Sequence, residues 1–136
     1  MKQIPRIEKY MTTTPHSVGF DIPLETAANL MRDHQIRHLP VKDGGKLVGV
    51  ITDRDIKLAS SFASDGKMSV EDVMTPDPYT VSPHAQLDEV ALEMAEHKYG
   101  SAIVMDNGKV VGIFTAVDGL RILGEILQQN YKHRTD

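Results

Sequence analysis

Two Thr-x-x-Asp pairs, Thr52 with Asp55 and Thr115 with Asp118, are the side chains of this sequence best spaced for chemistry. At that spacing the hydroxyl caps a helix start and the acid sits in the first turn, where negative charge is welcome. A carboxylate held this way at the edge of a cleft can also accept two hydrogen bonds from a ribose diol. The same helix start offers free backbone N–H groups to a phosphate. The two uses are compatible, because the cap holds the acid in place. Arg37 and His38 form the next candidate pair; their plain reading is a solvated arginine and a histidine near a helix C-terminus.

Six histidines invite a metal reading, and His34 and His38 are four apart. Residues 35–37 are expected to leave the helix between them, and no third ligand falls at a matching spacing, so capping or surface roles are preferred and no metal site is expected. The absence of cysteine excludes disulfides, thiol catalysis and thiolate metal sites. No nucleophile–base–orienter set and no Gly-x-x-x-x-Gly-Lys loop is present, so no catalytic activity is expected.

Both Thr-x-x-Asp pairs end the same longer stretch. Gly49-Val50-Ile51-Thr52-Asp53-Arg54-Asp55 returns as Gly112-Ile113-Phe114-Thr115-Ala116-Val117-Asp118, at an offset of 63 residues. The offset holds without a gap over residues 11–58, matching Met11 to Met74, Val18 to Val81, Met31 to Met94 and His34 to His97. The chain is therefore a tandem duplication. The expected halves are residues 1–63, with a lead-in segment, and residues 64–136, with the C-terminal helix. The Ser-, Ala- and Gly-rich stretch 60–67 reads as the linker.

The elements that must position these residues follow from periodicity. A helical turn is expected over 7–11 and an extended piece over 12–18, with Pro15 disfavouring helix in the residue before it. Pro23 is expected in the first turn of a helix over 23–35, whose Leu24, Ala27, Ala28 and Met31 share one face. Residues 39–41 and 46–52 read as a hairpin around Asp43-Gly44-Gly45, followed by a helix over 53–62. The second half repeats this with an extended 75–81 and a helix over 85–98, burying Leu87, Val90, Ala91 and Met94. Strands at 102–105 and 109–115 and a helix over 116–130 complete it. That last helix is apolar on one broad side through Leu120, Leu123 and Leu127.

The 136 residues carry a net charge of −4 with 40% apolar residues, ordinary for a globular protein. Each copy alone is marginal in size, so a shared core is expected. No apolar run approaches the ~20 residues of a membrane span, and residues 1–6 lack a signal-peptide core, so a cytoplasmic protein is expected without a membrane partner. Nucleic acid is not an expected partner either, since only Lys132-His133-Arg134 clusters basic charge.

The order strand-helix-strand-strand-helix and the Gly-x-x-Thr-x-x-Asp ending resemble the CBS domain. His38-Leu39-Pro40-Val41-x-Asp43 and Val73-Met74-Thr75-Pro76 match further family marks, and the resemblance covers about residues 8–126. It implies an α+β fold of two β-α-β-β-α motifs packed through their sheets about a pseudo-twofold axis, a Bateman module with two clefts. Members of the family commonly bind adenosyl ligands there and regulate an attached or partner protein. Carried onto this chain, the resemblance implies Asp55 and Asp118 as ribose ligands, with Thr52, Thr115, Arg37, His38 and Arg54 around the phosphate. Arginine suits that role through its planar fork of donors. The adenine pocket would comprise Thr14, His16, Val18, Ile51, Tyr79, Val81 and Phe114, although plain core packing accounts equally well for the aliphatic ones.

The copies differ at these positions. Gly100 and Ser101 replace Arg37 and His38, and Ala116-Val117 replace Asp53-Arg54, so basic phosphate contacts are expected only from the first copy, with Val117 as an alternative apolar wall. The main site is accordingly expected at Asp55. The function this implies is a sensor of AMP, ADP or ATP, ahead of S-adenosylmethionine or NADH, without a resident cofactor, acting on an unknown regulated protein and forming a homodimer through its helices. The alternative is an interaction scaffold that binds no ligand.

Overall fold

The computed structural model describes residues 1–62 and 67–136, so half of the expected linker, residues 63–66, lies outside the described residues. The short strands β1 (Thr12–Thr13) and β2 (Val18–Gly19) precede α1 (Leu24–His34), the hairpin β3 (His38–Asp43) and β4 (Lys46–Thr52), and α2 (Asp53–Phe62). The second copy follows the same course through β5 (Thr75–Pro76), β6 (Thr80–Val81), α3 (Leu87–His97), β7 (Ser101–Asp106), β8 (Lys109–Thr115) and α4 (Ala116–Asn130). A 3₁₀ turn precedes each copy, at Ile7–Lys9 and Val70–Asp72. The fold is mixed α+β, with two four-stranded sheets and four helices.

The sheets cross the expected boundary between the halves. One has the order β2-β3-β4-β5 and the other β1-β8-β7-β6. The first copy's β1 thus closes the second copy's sheet, with Thr12 opposite Ile113, and β5 closes the first sheet, with Val50 opposite Thr75. Both exchanges obey the 63-residue offset, and the equivalent strands β4 and β8 touch one another. The two motifs are therefore related by a pseudo-twofold axis.

Instead of one shared core there are two, each built from both copies. Ile7, fully buried, packs among Leu87, Val90, Met94, Phe114 and Ile122; its repeat counterpart Val70 packs among Leu24, Ala27, Met31, Leu39 and Ile51. The lead-in segments also satisfy backbone groups that a helix start leaves open. Leu87 N–H donates to the Pro5 carbonyl at 3.0 Å, and Leu24 N–H to the Met68 carbonyl at 3.1 Å. The glycines of the repeated stretch admit this docking. A Cβ on Gly49 would lie 2.6 Å from Met74 Sδ and 2.8 Å from the Thr75 carbonyl oxygen, and one on Gly112 would meet Met11.

Three local expectations are corrected. Pro23 is the extended N-cap of α1 and not its first helical residue. The extended stretches at 12–18 and 75–81 are each broken into two strands, because Thr14 (φ 47°) and its counterpart Asp77 (φ 50°) turn left-handed. Ala91 is exposed, leaving Leu87, Val90 and Met94 as the buried face of α3.

Candidate ligand-binding cleft

Both Thr-x-x-Asp pairs form reciprocal caps. Thr52 N–H donates to Asp55 Oδ2 at 3.0 Å, and Asp55 N–H donates to Thr52 Oγ1 at 3.1 Å. In the second copy Thr115 N–H (2.8 Å) and its hydroxyl (3.0 Å) both donate to Asp118 Oδ2, and Asp118 N–H reaches Thr115 Oγ1 at 3.3 Å. One carboxylate oxygen is thus fixed by the cap and the other is left for a further partner. For Asp118 that partner is Arg121, whose Nη1 lies 3.2 Å from Oδ1.

The surroundings of the two caps differ. A cleft of about 660 Å³ is walled by residues 12–16 and 35–38 of the first copy and by Ile113, Thr115, Val117, Asp118 and Arg121 of the second. Arg37 and His38 therefore join Thr115 and Asp118, not Thr52 and Asp55, in this cleft. The exchange of β1 supplies the wall of residues 12–16, since it lays the first copy's lead-in against β8, while Arg37 and His38 enter where the turn after α1 meets β3. Arg121 is a cation that the repeat pattern hides, because its counterpart is Leu58. Its signal in the sequence was the i, i+3 spacing from Asp118. Basic side chains thus reach the cleft from both copies, and Val117 is one of its apolar wall residues.

Thr14 and His16 also line the cleft, where His16 stacks on His34 with ring centroids 3.8 Å apart. Val18, Ile51 and Phe114 do not. They are buried in the two cores, and Ile36 and Ile113 supply the apolar wall in their place. Tyr79, the counterpart of His16, stacks on Tyr99 at 5.1 Å, and Tyr99 stacks on His97 at 5.2 Å. Val81 packs, half-buried, against the second core. Burial, with Glu93 and Tyr99 nearby, raises the Tyr79 pKa above 10. Arg54 is exposed in the first turn of α2. A separate depression of about 490 Å³ at the far end of α2 touches Asp55, but otherwise has Leu58, Ala59, Phe62, Met68, Asp72 and Val73 in its walls.

His38 sits deepest. Burial lowers its pKa below 6.5, against the pull of Asp53, Asp55 and Asp118, so the ring is neutral at pH 7. Its Nδ1 is buried without a hydrogen-bond partner among the described residues. Its Cε1 lies 3.0 Å from where a Cβ on Gly100 would stand, which gives that glycine a packing role: it makes room for the His38 ring. Among the described residues, one group brings metal-ligand atoms within 4.8 Å of each other: Glu93, Glu96 and His97, on the surface of α3 and outside the cleft. There His97 Nε2 pairs with Glu93 at 2.9 Å.

A family model described as the CBS domain matches residues 7–61 and again residues 70–125. Inosine-5'-monophosphate dehydrogenase of Korarchaeum cryptofilum is 37% identical over 118 residues, which are 86% of this chain and 24% of that enzyme. The chain spans about a quarter of the length of the first curated relatives it matches. The CBS domain pair of protein MJ0100, crystallised with 5'-methylthioadenosine and S-adenosyl-L-methionine, superposes with a TM-score of 0.81 at 31% identity, over 91% of this chain and 99% of that one. CBSX2 in complex with AMP gives a TM-score of 0.74 at 29% identity, over 89% and 97%.

Proposed function

The chain belongs to the CBS domain family as a tandem pair, and on that premise we propose that it is a non-catalytic, cytoplasmic sensor that binds an adenosyl ligand in the Asp118 cleft. The observation that carries this reading is the convergence of Thr115 and Asp118, at the start of α4, with Thr14, His16, Arg37 and His38 around one cavity. Its volume lies within the usual span for small-molecule sites. In this reading Asp118 accepts from the ribose diol, the start of α4 with Thr115, Arg37 and His38 receives phosphate, and Thr14, His16, Ile36 and Ile113 hold the adenine. Asp55, Thr52 and Arg54 belong to the counterpart position, which lacks the Arg37–His38 pair.

The walls of the cleft come from both copies, so a ligand that touches both favours one mutual orientation over others. Leu58 and Phe62 on α2 and Leu120, Leu123 and Leu127 on α4 expose large apolar surface that could pass such a change to a second copy of the chain, forming a homodimer, or to a regulated protein. The same exposed helices favour the second reading, a scaffold that binds partners and no ligand.

Calorimetric titration of ligand-stripped protein with AMP, ADP, ATP, S-adenosylmethionine and NADH separates the two readings. The sensor predicts saturable binding near one per chain, lost in Asp118→Ala and kept in Asp55→Ala. No heat and no thermal shift with any of the five would leave the scaffold as the function.

A further inference from the structure

We propose that Arg121 is a latch that makes the Asp118 cleft select phosphate-bearing adenosyl ligands over uncharged or sulfonium ones. The proposal rests on the reading of that cleft as an adenosyl site, and names its ligand class. Asp118 has one oxygen committed to the helix cap, where Oδ2 accepts from the Thr115 N–H and hydroxyl. The oxygen left for a ribose diol is Oδ1, and the Arg121 guanidinium already donates to it at 3.2 Å. The Asp118 side chain is only 16% exposed, so water offers little relief to an oxygen stripped of its partner, whereas Arg121 is 63% exposed and free to swing.

An incoming ribose therefore competes with a charge-assisted hydrogen bond. A ligand that brings a diol alone displaces the guanidinium and gives it nothing in return. A ligand that brings a diol and a phosphate offers Arg121 a second anion in the same cavity, and the planar fork can exchange a carboxylate for a phosphate. Arg37 lines the same cleft, so the phosphate collects two guanidinium groups. Two arginines and one aspartate leave this wall with a surplus of one positive charge, which a sulfonium worsens and a phosphate offsets. The device is confined to one cleft, since the residue three after Asp55 is Leu58.

The plainer account of Arg121 is a helix-surface pair with Asp118 at i, i+3, worth little and indifferent to ligand. The ratio of two affinities separates that account from the latch. AMP and 5'-methylthioadenosine share adenine and ribose and differ in the phosphate. Both are titrated into the full, ligand-stripped chain as wild type, Arg121→Leu and Arg121→Lys, with thermal melts confirming the fold of each variant. The latch predicts AMP bound at least tenfold tighter than methylthioadenosine by the wild type. In Arg121→Leu, AMP weakens at least tenfold while methylthioadenosine holds or tightens a few-fold, and Arg121→Lys falls between.

Methylthioadenosine binding as tightly as AMP in the wild type, or an equal loss for both in Arg121→Leu, overturns the latch and leaves the adenosyl site standing. Binding of neither compound to the wild type, or AMP binding that survives Asp118→Ala, overturns the site and the latch together.

Discussion

The two copies repeat one backbone and use it for different chemistry. Left-handed residues recur at the same offsets, Thr14 with Asp77 and Gln35 with Lys98, and so do the caps at Asp55 and Asp118. The side chains on this common frame diverge. His16, Ile36, Arg37, His38 and Arg121 gather at the Asp118 cleft. Their counterparts are Tyr79, Tyr99, Gly100, Ser101 and Leu58, in which two tyrosines and His97 stack and the basic charge is gone. The lesson is that what both copies keep serves folding in each, and what sets one cleft apart from the other is sought where the copies disagree. The caps are kept twice because both helices need them; the cations are kept once.

The comparison breaks most visibly where each copy lends a side chain to the other's core. Ile7→Ala should cost about 3 kcal/mol, because the side chain is fully buried and leaves a cavity. Its counterpart Val70→Ala, with one methylene less to lose, should cost about 2 kcal/mol. Urea denaturation of the two variants measures the difference, and a negligible effect of Ile7→Ala would mean that the first lead-in does not hold the second core. Next in size is ligand binding. Asp118→Ala should weaken AMP at least 30-fold, about 2 kcal/mol at 1.4 kcal/mol per tenfold, against less than twofold for Asp55→Ala. Each loses its cap equally, about 1 kcal/mol of stability. Equal losses of affinity would make the clefts equivalent despite their different walls.

Much of the frame was legible in the sequence. The strands at 46–52 and 109–115 and the helix at 116–130 lie where periodicity put them, since each is a single run bounded by a turn residue or a cap. The exchange of β1 and β5 was not legible. Thr12 and Thr13 carry no mark of which sheet they join, because strand pairing at this length is decided by tertiary docking, here Met11 over Gly112. The exchange lays residues 12–16 beside Asp118, in the cleft that Arg37 and His38 also line, whereas the sequence suggested a site at Asp55. Three of the expected lining residues, Val18, Ile51 and Phe114, fall outside the cleft for a related reason. Residues in a strand alternate between two faces, and Ile51 and Phe114 fall on the core face, whereas Ile113 faces the cleft. Periodicity marks the alternation but not which face is covered.

A smaller effect tests the glycines that admit the lead-ins. Gly49→Ala should cost about 2 kcal/mol, because its Cβ would meet the backbone carbonyl of Thr75 as well as Met74. In Gly112→Ala the nearest atoms all belong to the Met11 side chain, which can change rotamer, so the cost should be about 1 kcal/mol or less. Equal thermal shifts in the two variants would show that the Thr75 backbone gives way as readily as a methionine.

The smallest effect concerns His38, half-buried in the cleft wall. Burial holds the His38 pKa below 6.5 in the folded protein, with Asp53, Asp55 and Asp118 opposing and Arg37 assisting. As pH falls through 6.5 the unfolded chain takes up a proton that the folded chain refuses, so stability declines until the lower folded pKa is reached and is level below it. Above 6.5 this contribution is fully present. Urea midpoints measured between pH 7.5 and 5 should show the decline in the wild type and a shallower one in His38→Gln. Ser101, the buried counterpart of His38, has no proton to exchange in this range, so Ser101→Ala should leave the slope as it was. An undiminished slope in His38→Gln would move the proton to another of the six histidines, and would remove the argument that His38 stands neutral in the cleft, because the uptake that burial denies the folded ring would then have been made elsewhere.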